Sequence, residues 1–245
     1  MQHGGITCLI GLGGNTGSVE DTFVAAMQRL NRKNCRIKTL SRNFHTAPMG
    51  TDAGGIFTNA AACLVTDLSP LKLLDLLQQI EEEFGRVRNL HWGPRPLDLD
   101  LLFYGRQVIH MPQLKVPHPG LWYRRFVLDP LVEIAADWKH PENAHSTAEL
   151  RARLDQRPLV IDLEGMETPP AIPARYHGLA KLRTIPPKPG IHTQRPQAFC
   201  QLNVCNCGKL PQRSETFERH DFRIDVSQDN VSAMIEAILA AAIGI

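Results

Sequence analysis

The chain has 245 residues, is 43% apolar and 21% charged, and carries a formal net charge of +2 with histidine neutral. That composition excludes a disordered or fibrous chain, and at roughly 150 residues per domain the length allows one large domain or a medium one with an appendage. A nucleic-acid-binding module normally shows a strong basic excess, which +2 does not supply.

No apolar run reaches the roughly 18 residues needed to cross a bilayer, and the start from Met1 to Gly5 has neither a basic region nor a small-residue cleavage site after it. The expected location is the cytoplasm. The cysteines are scattered at 8, 35, 63, 200, 205 and 207, unlike the dense framework of a small secreted domain, so reduced thiols are expected.

In chain order, Ile6 to Leu12 reads as a buried strand running into the turn Gly13-Gly14-Asn15. Ser18 looks like a helix start, and the spacing of Val19, Phe23, Ala26, Met27 and Leu30 predicts a helix with one inward face. Ile37 to Thr46 reads as a strand and Phe57 to Asp67 as a second. Ser69-Pro70 then opens a helix whose inward stripe is Leu71, Leu74, Leu77, Ile80 and Phe84. Leu97 to Tyr104 is the most strand-like segment, and Arg124 to Ile134 begins as a strand before an amphipathic turn at Pro130. The resulting β-α-β-β-α-β order predicts an α+β fold of ferredoxin-like type, an antiparallel-containing sheet with helices on its faces in three layers.

Residues 1–164 are expected to form this domain and 165–245 an extension. From about 165 to 212 prolines recur, each removing a backbone donor, so the stretch reads as an extended connector without long helices or central strands. His220 to Val226 then reads as a strand and Val231 to Ile243 as a helix. Cys200, Cys205 and Cys207 with His192 or His220 supply zinc-ligand chemistry, although C-x4-C-x-C fits the usual paired knuckles poorly.

The chemistry concentrates in GRVRNLHWGPRPLDLD, residues 85–100. Side chains two apart on a strand share a face, so Asp98 and Asp100 point together, with Leu97, Leu99 and Leu101 turned away. Two carboxylates on a buried strand need a compensating cation, and Mg²⁺ suits oxygen ligands; the plain alternative is the exposed face of an edge strand. Arg86, Arg88 and Arg95 favour the first reading, because guanidinium forks match phosphate oxygens. Metal-binding carboxylates among arginines are the equipment of phosphoryl-type transfer.

Trp92 offers either an apolar face for a base or a core aromatic. His118, held between prolines before Arg124 and Arg125, suits a phosphate contact or a structural bond. Thr46 to Asn59 combines Thr46 and Asn59 with Met49, Phe57 and several glycines, a setting for a small heteroaromatic ligand.

GRVR at 85–88, WGPRPLDLDLLFYG at 92–105, VPHPGLWYRRFVLDPLVEIA at 116–135 and GLGGN at 11–15 resemble, in order along roughly Ile6 to Val160, the 6-hydroxymethyl-7,8-dihydropterin pyrophosphokinase family of folate biosynthesis. The resemblance implies transfer of the diphosphate of ATP to the hydroxymethyl group of a reduced pterin, leaving AMP. It implies that Asp98 and Asp100 hold two Mg²⁺ ions and that Arg86 and Arg95 grip the phosphates and promote transfer. Arg88, His118 and Arg124 become further ATP contacts, and Gln78, Glu81, Trp92 and Leu101 line the nucleotide pocket. Phe57 and Phe126 sandwich the pterin, Asn59 reads its edge, and the Thr46, Ala47 and Met49 backbone completes the bonding. The implied partners are ATP and the pterin, with no nucleic acid or membrane, and a monomer is favoured. The rival reading is another Mg-dependent nucleotidyl or glycosyl transferase, which shares Asp-x-Asp but not the pterin pocket.

Overall fold

The computed structural model describes residues 4–47, 55–86, 94–164, 166–185, 200–205, 223–227 and 230–244. They fall into two compact units that divide between Arg151 and Ala152.

In the first unit, β1 (Ile6–Gly14) alternates, with Cys8, Ile10 and Leu12 entering the core and Gly11 and Gly13 on the opposite face. Helix α1 (Val19–Asn31) buries Val19, Phe23, Ala26, Met27 and Leu30, the stripe its spacing predicts. The strand expected over 37–46 is two strands, β2 (Cys35–Leu40) and β3 (Phe44–Thr46). Between them Ser41 keeps the chain tied to the sheet: its N–H donates to the Ala61 carbonyl and its hydroxyl accepts the Ala61 N–H, both at 2.9 Å. The side chain thus replaces a backbone rung, and the strand breaks there.

β4 (Phe57–Thr66) follows, then α2 (Pro70–Glu83) and β5 (Asp98–Tyr104). Helix α2 starts with Pro70 in its first turn, and Ser69 makes no side-chain capping bond. Its buried stripe is Leu73, Leu76, Leu77, Ile80 and Glu81, rotated from the expected one; Leu71 is 39% exposed. Five leucines between 71 and 77 offer two overlapping stripes, and packing selects one.

The strands pair antiparallel in the order β2-β4-β1-β5, with β3 also on β4. Leu99 and Leu101 of β5 lie opposite Leu12 and Ile10 and join the core with Ala60, Ala62 and Leu64.

A short ribbon, β6 (Ile109–His110) with β7 (Lys115–Val116), leads into the loop that carries His118. The segment from Arg124, expected to begin as a strand, is instead helix α3 (Arg125–Ala135) with Pro130 inside it. A proline within a helix costs about 3 kcal/mol. Burying Val127, Leu128 and Leu131 on one stripe offsets that at roughly 1.5–3 kcal/mol each, which a strand could not do. Helix α4 (Thr147–Arg153) follows.

In the second unit, β8 (Leu159–Glu164), β9 (Ala180–Ile185), β10 (Cys200–Cys205) and β11 (Arg223–Ser227) form a parallel sheet in the order β11-β10-β8-β9. Helix α5 (Val231–Ile243) buries Ile235, Ile238 and Leu239. The connector read over 165–212 is therefore corrected: β9 and β10 both lie within it, and β10 is a central strand. The prolines cluster at 169–173 and 186–196, leaving proline-free windows at 174–185 and 197–210 in which both strands form. Asp162 is buried on β8 and paired through both oxygens to Arg183 of β9, its register partner, at 2.6 and 2.9 Å. No described helix is long and apolar enough to cross a membrane.

Candidate active site

The sheet face opposite the core is the informative one. Register places Asp98 beside Gly13, and Gly13 beside Asn59 of β4; one step on, Asp100 lies beside Gly11, and Gly11 beside Ala61. Asp98 and Asp100 therefore share a face as their spacing requires, and neither glycine puts a side chain between them and β4.

The guanidinium groups converge on Asp98. Arg95 Nη2 lies 3.1 Å from Asp98 Oδ2, and Arg86 Nη1 donates to Asp98 Oδ1 and to Glu81 Oε1. Burial first, and then the Asp100 carboxylate, push Asp98 above the usual carboxylate range against the pull of Arg95 and Arg86. Burial alone would weaken the Arg86 cation, but Asp98 and Glu81 overcome it and hold the guanidinium above its ordinary value.

The backbone at Arg95 is held from the opposite side by the turn after β1. Asn15 N–H donates to the Arg95 carbonyl at 2.9 Å, and Arg95 N–H donates to Asn15 Oδ1 at 2.8 Å. Gly14 permits the approach, since a Cβ there would lie 2.6 Å from the Pro96 carbonyl oxygen.

His118 stands at the other end of the carboxylate pair. Its Nδ1 accepts the Gly120 N–H at 3.2 Å, which leaves the ring proton on Nε2, 4.0 Å from Asp100 Oδ1. Burial lowers its pKa, Arg124 lowers it further, and Asp100 pulls the other way. The Arg124 guanidinium packs over the Tyr123 and Phe126 rings at 5.7 and 5.8 Å, and its buried Nε has no acceptor among the described residues; the same holds for Arg95 Nε. Buried guanidinium donors without partners suit an anion.

One cleft joins the Arg95, Asp98 and Asp100 part of this cluster to an aromatic wall. Thr46, Ala47, Phe57, Asn59 and Phe126 line it together with Arg95, Asp98 and Asp100. Asn59 donates through Nδ2 to the Thr46 hydroxyl at 2.9 Å, which turns its Oδ1 toward Gly13. Arg95 lies over the Phe57 ring at 5.6 Å.

The structure thus gathers Thr46, Ala47, Phe57, Asn59, Arg86, Arg95, Asp98, Asp100, His118, Arg124 and Phe126. Gln78 is half-buried on α2, whereas the Leu101 side chain is in the core and Glu81 is occupied inside the protein. Met49, Arg88 and Trp92 lie outside the described residues, as do Cys207, His192 and His220; Cys200 and Cys205 lie on β10. Sequence reading missed Leu12, Ala60 and Val127, which also line the cleft and whose identities carry no chemical signal. The donor set fits a hard divalent cation: two carboxylates, Asp98 and Asp100, on one face and both lining the cleft.

Residues 9–136 match the family described as 7,8-dihydro-6-hydroxymethylpterin-pyrophosphokinase (HPPK). The chain is similar to the 2-amino-4-hydroxy-6-hydroxymethyldihydropteridine pyrophosphokinase of Pseudomonas aeruginosa, 42% identical over 137 residues that cover 56% of this chain and 85% of that one. The protein of the same description from Haemophilus influenzae is 38% identical over 158 residues, 64% of this chain and 99% of that one. A solved HPPK-DHPS structure in complex with substrates aligns with a TM-score of 0.47 at 14% identity, over 60% of this chain and 43% of that one. The family match spans more than half of the sequence, and the Pseudomonas and Haemophilus proteins are covered over 85% and 99% of their lengths, so the chain belongs to the 7,8-dihydro-6-hydroxymethylpterin-pyrophosphokinase family.

Proposed function

We infer that the protein transfers the β,γ-diphosphate of ATP to the hydroxymethyl oxygen of 6-hydroxymethyl-7,8-dihydropterin in folate biosynthesis. The hydroxyl oxygen bonds to the β-phosphorus, the bond from that phosphorus to the oxygen it shares with the α-phosphorus breaks, AMP leaves and the hydroxyl proton is released. The observation that carries this reading is that Asp98, Asp100 and Arg95 and the Phe57, Asn59 and Phe126 wall line one cleft.

The pterin ring lies between Phe57 and Phe126, and Asn59 Oδ1, oriented by Thr46, accepts from its edge. Arg95 and Arg86 hold the phosphates and neutralise charge as the bond to AMP breaks, while Arg124 and the Nε2–H of His118 donate to phosphate oxygens. Asp98 and Asp100 would hold the two Mg²⁺ ions, which would supply neutralisation of phosphate charge when bound with ATP. Arg88, Trp92 and Gln78 complete the nucleotide side and Met49 the pterin side. The strand order supports the ferredoxin-like three-layer reading, since the core side of the sheet meets α1 and α2 while Phe126 and Val127 of α3 line the cleft on the other face.

The test is chromatographic detection of AMP from ATP and Mg²⁺ with and without the hydroxymethyl pterin, beside calorimetry with the pterin and a nonhydrolysable ATP analogue. Pterin-dependent AMP is expected, and Asp100→Ala, at a position 39% exposed, abolishes it without loss of fold. Absence of pterin binding leaves the rival transferase reading in its place.

A further inference from the structure

Glu81 is a charged group in contact with Arg86 that the mechanism above leaves unused. It is 2% exposed, does not line the cleft, and sits near the end of α2. A carboxylate so deeply buried is tolerated only when paired and hydrogen-bonded. Its Oε1 accepts the Leu99 N–H at 2.7 Å, the one backbone donor between Asp98 and Asp100, and also receives Arg86 Nη1. The Arg86 N–H donates to the Glu81 carbonyl at 3.0 Å, so backbone and side chain of the two residues are tied twice.

Arg86 is therefore shared between two carboxylates of unequal freedom. Asp98 opens on the cleft and also pairs there with Arg95. Glu81 is held by the strand itself and has no access to the cleft.

We propose that Glu81 is a positioning residue for the transfer: it is the resident counter-ion of Arg86, keeping the guanidinium at the phosphate side of the cleft once Asp98 is engaged elsewhere. With a neutral side chain at 81, Asp98 is the one of these two carboxylates left to Arg86. Arg86 then competes with the metal for that carboxylate and, when displaced, has no fixed seat. The inference rests on the functional reading given above.

Glu81→Gln isolates the charge, because the amide oxygen still accepts the Leu99 N–H. Wild type, Glu81→Gln, Arg86→Ala and the double variant are compared for kcat, for affinity toward Mg²⁺ with a nonhydrolysable ATP analogue by calorimetry, and for thermal midpoint without ligand. Glu81→Gln is expected to lower kcat about 30-fold and weaken the analogue at least about 3-fold, with the midpoint within about 3 °C of wild type. In the Arg86→Ala background its effect on kcat shrinks below about 2-fold, since the two act through one guanidinium. Equal losses in both backgrounds, or a lower midpoint with unchanged kcat, overturn the proposal. Should Glu81→Gln not fold, Glu81→Asp keeps the charge but withdraws it by one methylene, and the same dependence on Arg86 is expected; additivity there overturns it. Wild type that forms no AMP overturns the functional reading itself, whereas normal wild-type turnover with additive variants overturns this inference alone.

Discussion

Gly120→Ala tests the arginine seat directly. A Cβ at Gly120 would lie 2.5 Å from Arg124 Nε, 2.6 Å from Cζ and 2.9 Å from Nη2, all well inside van der Waals contact. The backbone itself accepts alanine, with φ at −93°. The guanidinium is the far end of a flexible chain, so it moves and the fold does not. Displacement removes one charge-assisted contact to ATP, about 1.5–3 kcal/mol, or roughly 10- to 150-fold in kcat/KM for ATP. Steady-state kinetics at saturating pterin, with Arg124→Ala as the reference, is the assay. The alanine variant is expected to reproduce most of the Arg124→Ala loss while its thermal midpoint stays near wild type. An unchanged kcat/KM for ATP, or a loss explained by unfolding, would refute the assignment of Arg124 to ATP or of Gly120 as its seat.

Two further changes probe the frame around the cleft. Asn15→Ala removes the acceptor of the Arg95 N–H and is expected to cost about 1–3 kcal/mol in denaturant unfolding, with a lower kcat; full activity would show that Arg95 does not need this clamp. His140 is buried with its pKa pushed down to about 4, by burial first and then by His145. Because the unfolded chain takes up that proton near 6.5, the stability this group contributes is complete above about pH 6.5 and is lost as pH falls toward 4. Between pH 7 and 5 the loss is about 2 kcal/mol. His140→Asn retains an acceptor for the Glu142 N–H and is expected to flatten that slope. The three tryptophans all precede Arg151, so their fluorescence follows this unit in urea; an identical slope in the variant would exclude His140 as its source.

Much of the site was legible because its chemistry is compressed into short stretches. The Asp-x-Asp alternation of β5 and the arginines just ahead of it need no long-range knowledge to be read together. The glycines opposite them belong to register, and only the paired strands show that Gly11 and Gly13 flank the carboxylates. Helix α1 was readable since its apolar residues allow one stripe, whereas the leucine-rich α2 allowed two and the neighbouring elements chose. Helix α3 misled for a different reason. Phe126, Val127 and Leu128 followed by Pro130 read locally as a strand end, and only the wall they build against β4 rewards the helical spacing. The Glu81 role was invisible because a glutamate on a helix is ordinarily solvated, and nothing local signals that Leu99 N–H lies above it.

The alternation along β5 ties inheritance of activity to inheritance of the fold. A one-residue shift of Asp98–Leu101 against β1 would send Leu99 and Leu101 to the wet side and the carboxylates among Ile10, Leu12 and Leu64. Such a frame slip cannot yield a folded but inert protein that lingers in a population. Point changes can silence the carboxylates one at a time, but any lesion that moves the pair as a block removes the molecule along with its chemistry.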